Sequence, residues 1–86
     1  MSNTEQRLYA RESLIYNVTE DLLMILEDKG VSKSELARRL GKSRAYVTQV
    51  LSGSRNMTLG SLSDFCFALG IEPKIVLPVA PEPVAD

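Results

Sequence analysis

The stretch from Ser32 to Gly53 constrains this chain more than any other, because it reads as two short helices joined by a turn too tight for most backbones. Leu36, Leu40, Val47, Val50 and Leu51 recur at helical spacing and give the pair a shared apolar side. Ala37 falls where a small side chain lets the two helices approach closely. Gly41 ends the first helix, since glycine enters the left-handed backbone region without a Cβ penalty. Ser32 and Glu35 have capping-box spacing at the start of the first helix, and Ser43 is a good N-cap for the second.

Helix, four-residue turn, helix is the helix-turn-helix pattern, whose second helix enters the major groove of DNA. The charge distribution agrees with it, although the whole-chain charge of −1 argues the other way. Between Val31 and Asn56 the basic residues are Lys33, Arg38, Arg39, Lys42, Arg44 and Arg55, and Glu35 is the one acid. The local charge is therefore +5, leaving −6 for the rest of the chain. Phosphate binding depends on where cations lie more than on their total, because each contact releases counterions locally. A charge run ordinarily means a solvated helix face, but here it coincides with a capped helix pair.

The 86 residues suffice for one domain with one small core, near the lower end of independent stability, where oligomerisation often helps. No apolar run is long enough to span a bilayer, and the first residues, Met1 to Arg7, lack a signal-peptide core; a cytoplasmic protein is expected. Cys66 is the single cysteine and histidine is absent, so neither an intrachain disulfide nor a Cys–His zinc site is available. Ser–His and Cys–His catalytic pairs are equally excluded, and no glycine-rich phosphate loop is present. No enzyme activity, cofactor or metal is expected.

Leu14, Ile15, Val18, Leu22, Ile25 and Leu26 predict a long helix over Glu12 to Lys29, stopped by Gly30, with Glu20, Asp21, Glu27 and Asp28 mainly on its outer side. The N-terminal segment, residues 1–11, is compatible with an extension of that helix and equally with a frayed end. After the motif, Gly53 to Asn56 forms a loop. Thr58 caps a fourth helix over Leu59 to Leu69, whose stripe is Leu59, Leu62, Cys66 and Leu69 and which Gly70 ends. The helix-turn-helix domain thus spans residues 12–72, with the motif at 32–53. Residues 73–79, centred on Ile75, Val76 and Leu77, are β-branched, bounded by prolines and too short for a helix, so they read as a strand. A lone strand needs a partner, and the simplest is the same strand of a second copy. Residues 80–86 read as a solvated tail.

From about Asn17 to Leu77 the chain resembles the Cro/repressor (XRE-type) helix-turn-helix family. Within it, Asn56-Met57-Thr58-Leu59 leading to Phe67-Ala68-Leu69-Gly70-Ile71 is similar to small HigA-like antitoxin regulators. The resemblance implies an all-α, lambda-repressor-like bundle of four to five helices, with one C-terminal β-strand used in dimerisation. It implies a homodimer that binds a double-stranded operator, represses transcription of its own operon, and pairs with a toxin encoded beside it. One departure is Lys42, where many members carry an apolar residue inside the turn.

The same resemblance assigns roles. Arg44, Ala45, Thr48 and Gln49 are the base-reading candidates. Arginine suits the guanine O6/N7 edge, glutamine the adenine N6/N7 edge, and Ala45 or the Thr48 methyl suits a thymine methyl. Lys33 and Ser43 match phosphate-binding positions, and Lys42, Arg55 and Asn56 flank the groove. Tyr46 has three open readings: phosphate, a thymine methyl, or packing against the first motif helix. Of Arg38 and Arg39, at least one serves only as solvated surface. Phe65 and Cys66 read as core, whereas Phe67 falls off the stripe and joins Ile75, Val76 and Leu77 as the dimer-interface set. Tyr9 and Tyr16 read as packing under the N-terminal segment. The alternative function is a protein-interaction module on a helix-turn-helix scaffold that binds a partner protein without reading DNA.

Overall fold

A computed structural model describes residues 2–79, so the tail read at residues 80–86 lies outside it. Four helices follow one another: α1 (Asn3–Lys29), α2 (Lys33–Leu40), α3 (Arg44–Leu51) and α4 (Leu59–Ala68). Each begins on a hydroxyl cap. Ser2, Ser32, Ser43 and Thr58 accept the backbone N–H of Glu5, Glu35, Tyr46 and Ser61, each satisfying one donor the helix itself leaves free. The alternative left open at the N-terminus resolves in favour of helix, since α1 starts at Asn3 rather than Glu12.

The core is built where faces of all four helices meet. Leu22 and Leu26 of α1, Leu36 and Ala37 of α2, Val47, Val50 and Leu51 of α3, and Phe65 and Cys66 of α4 are all buried, with Leu69 just beyond α4. Leu36 and Val47 are completely enclosed. Burial of each large apolar side chain contributes about 1.5–3 kcal/mol. Thr19, the buried polar residue of α1, donates its hydroxyl to the carbonyls of Ile15 (2.9 Å) and Tyr16 (3.1 Å), so it carries no unmet hydrogen bond into the core.

The apolar periodicity of α1 and α4 overstates their buried faces. Leu14 and Leu59, placed on those stripes by spacing, are exposed, and so are Tyr9 and Tyr16. The reason is reach. A helix of 27 residues is about 40 Å long, and the other three are too short to cover it, so only its C-terminal half is buried. The radius of gyration, 16.0 Å, exceeds the roughly 12 Å of a compact chain this size for the same reason.

The expected strand over residues 73–79 does not form within the single chain: Ile71 to Val79 carry no regular secondary structure. A strand is held by hydrogen bonds to a neighbour, and among the described residues this chain offers no second strand.

Candidate nucleic-acid interface

The turn between α2 and α3 is closed by backbone hydrogen bonds from Gly41 N–H to the Arg38 carbonyl (3.2 Å) and from Lys42 N–H to the Ala37 carbonyl (2.9 Å). Gly41 sits at φ 67°, in the left-handed region. Lys42, in the turn, is exposed, and its ammonium lies 5.5 Å from the Tyr46 ring centre. Ala37 of α2 is buried in the core.

Ser43 then starts α3, its Oγ accepting the Tyr46 N–H at 3.0 Å. The hydroxyl hydrogen remains free to donate to an oxygen such as a phosphate's. With Val47, Val50 and Leu51 turned into the core, helical geometry puts Ala45 and Gln49 on the opposite side and Thr48 and Arg44 on its flank, and all four are exposed. The four candidate base readers therefore share one open face. Lys33, half-buried, stands in the first turn of α2, while Lys42 and Ser43 lie in the turn and Arg55 and Asn56 in the loop after α3.

Two of the six basic residues are occupied elsewhere. Arg38 donates Nε to Glu35 Oε1 (3.0 Å) and its Nη2 to Oε2, and Arg39 donates Nε to Glu35 Oε2 (2.9 Å). Arg39 also donates Nη1 to the Ala68 carbonyl at 3.0 Å, joining α2 to the end of α4. These hydrogen bonds, Arg38's first and then Arg39's, hold the Glu35 carboxyl down to about 2. The capping box is thus half made: the Ser32 hydroxyl accepts the Glu35 N–H at 3.0 Å, but the carboxylate turns to the arginines. Among the described residues, Lys33, Lys42, Arg44 and Arg55 have no carboxylate in ion-pair reach, which leaves four cations around α3 for an external anion.

Sequence reasoning left Tyr46 open, and its surroundings are informative. The half-buried ring packs on Phe65 of α4, with centroids 6.2 Å apart. On it stand two cations, the Lys42 ammonium and the Arg55 guanidinium, the latter 5.0 Å from the centroid. A second unforeseen arrangement anchors the loop. The Gln49 carbonyl accepts from Ser54 N–H (3.1 Å), Ser52 Oγ (3.0 Å) and Ser54 Oγ (3.2 Å). The Ser-Gly-Ser run after the last apolar residue of α3 was the available signal, because serine hydroxyls bond back to helix-end carbonyls.

Phe65 and Cys66 are core residues, and burial pushes the Cys66 thiol up, away from reactivity. Phe67 is 86% exposed, and Ile75, Val76 and Leu77 are exposed as well.

A glycine-closed pair of helices, the second with a buried apolar side and an open polar face beside cations that have no carboxylate partner among the described residues, defines a helix-turn-helix protein. Residues 21–75 match the model of the Cro/C1-type helix-turn-helix DNA-binding domain, and the chain belongs to that family. No curated protein and no solved structure matches it. No helix among the described residues is long and apolar enough to cross a membrane.

Proposed function

We propose that this chain is a dimeric, sequence-specific repressor in which α3 enters the major groove of a double-stranded operator. Arg44, Ala45, Thr48 and Gln49 read base edges, and Lys33, Lys42, Ser43, Arg55 and Asn56 hold phosphates. The single observation that carries this reading is the shared exposure of those four α3 side chains beside cations with no carboxylate partner among the described residues. Paired arginines would have weakened it, since a cation already neutralised releases few counterions.

The dimer is built from residues 73–79, paired antiparallel with the same segment of a second copy, with Phe67 of α4 beside it. Exposed Phe67, Ile75, Val76 and Leu77 support it, because large apolar side chains left in solvent on a small domain favour burial against a partner. By its likeness to HigA-like regulators, the protein acts in the cytoplasm as an antitoxin on its own operon, with a cognate toxin as second partner. A small basic protein encoded in the adjacent frame would support that part, and its absence would remove it.

Selection from a random duplex library tests the DNA reading. Enrichment of a two-fold-related site with half-sites about one helical turn apart is the expected result, with affinity falling steeply as salt rises. The alternative, a partner-binding module that does not read DNA, draws on exposed Leu8, Tyr9, Leu14 and Tyr16 along the outlying half of α1, and predicts no enriched sequence.

A further inference from the structure

The loop after α3 is folded back over the helix it leaves. Gly53, at φ 81°, takes a conformation open to glycine, and a Cβ there would come within 3.3 Å of Ile15 Cγ2. Ser52 and Ser54 lock the turn by their hydrogen bonds to the Gln49 carbonyl. Arg55 is thereby delivered above Tyr46, whose ring supports the guanidinium from below. From there Arg55 Nη1 donates to Gln49 Oε1 at 3.5 Å. A side chain read as a phosphate ligand thus touches one read as a base reader.

That contact changes what Gln49 can say to a base. A free glutamine reads adenine by accepting from N6–H while donating to N7. With Oε1 engaged by Arg55, the part of the amide without a hydrogen-bond partner among the described residues is Nε2, a donor only. Donors match acceptors, and the base edge offering two neighbouring acceptors in the major groove is guanine's O6/N7.

We propose that Arg55, positioned by Tyr46, sets the base preference of Gln49, turning it from adenine to guanine. The inference rests on the proposed reading of DNA by α3. Arg55 is a positioning residue here, acting through the amide of Gln49.

The test uses the full chain and the site it selects from a random duplex library. Binding to every single-base variant of that site is measured for the unaltered protein and for R55A, Q49A and the double variant R55A/Q49A. The Q49A profile identifies the base pair that Gln49 reads. At that pair the unaltered protein should prefer guanine, on the order of tenfold over adenine. R55A should bind more weakly overall and reverse the preference toward adenine, and R55A/Q49A should show neither preference. R55K, which retains a donor, should keep part of the guanine preference. If R55A weakens all sites equally with the guanine preference intact, Arg55 is a phosphate ligand and the inference falls while the DNA reading stands. It falls likewise if the unaltered protein prefers adenine there, or if Q49A leaves every base preference unchanged. If no sequence is enriched at all, the DNA reading itself fails and takes the inference with it.

Discussion

Arg39 Nη1 donates to the carbonyl of Ala68, 3.0 Å away and 29 residues later in the chain, so the motif's first helix is latched to the last turn of α4. The guanidinium satisfies a helix-end carbonyl and opposes the negative end of the α4 dipole. Arg39→Ala should therefore destabilise the fold by about 0.5–1.5 kcal/mol, read from chemical denaturation. Operator affinity of the folded protein should stay unchanged. A variant with normal stability and weakened DNA binding would assign Arg39 to the interface instead.

Ala37 of α2 is buried in the core that α2 shares with α3. Ala37→Leu inserts three carbons into that core and should cost about 1–3 kcal/mol, more if the helices cannot separate. Thermal melts give the size. Loss of operator binding should accompany the shift, because the angle between α2 and α3 aims the reading face.

The arginine at the start of α3 and the lysine in the turn should behave differently. Arg44→Ala should cost about 1–3 kcal/mol in binding and relax one base preference, whereas Lys42→Ala should weaken all sequences alike and flatten the salt dependence by about one counterion. Gel shifts against the selected operator and its base variants separate the two. Unchanged affinity and preference after both Arg44→Ala and Gln49→Ala would mean that α3 does not read DNA by this face.

Termination before Pro73 removes Ile75, Val76 and Leu77 and should give a monomer by sedimentation. Its affinity for a full operator should fall far below the parent's, since each half-site must bind alone. A truncated protein that stays dimeric would move the interface to the outlying half of α1, where Leu8, Tyr9, Leu14 and Tyr16 are exposed.

Glu35 carries a pH dependence of definite sign. Its carboxyl lies at about 2 in the folded protein against 4.5 ordinarily, through its hydrogen bonds from Arg38 and then Arg39. A depressed acid stabilises above its unfolded value, so the effect is whole above about pH 4.5 and fades as pH falls through about 2. The melting temperatures of the parent and Glu35→Gln should differ most near neutrality and converge at the acid end. Solvent screening keeps the difference small. A gap that widened on acidification would contradict the assignment.

Much of the motif is specified by local chemistry. The hydroxyl caps at Ser32, Ser43 and Thr58 and the turn at Gly41 each depend on residues within a few positions of one another, so their spacing made them legible. The outward orientation of Ala45 and Gln49 was legible too, because burying Val47, Val50 and Leu51 turns them to the opposite side of the helix. Burial along α1 and α4 was not. Leu14 and Leu59 satisfy the period of a buried stripe, yet period says which face a residue is on and not whether anything covers that face. The division of the basic residues also needed the third dimension. Arg39 and Arg55 are the same residue type in one basic cluster, but only the packing of α4 brings the Ala68 carbonyl to Arg39, and only the folded-back loop brings Arg55 over Tyr46 and onto Gln49. Side chains with several rotatable bonds take their partners from whatever the fold delivers within reach, and sequence spacing cannot state that for groups on different elements.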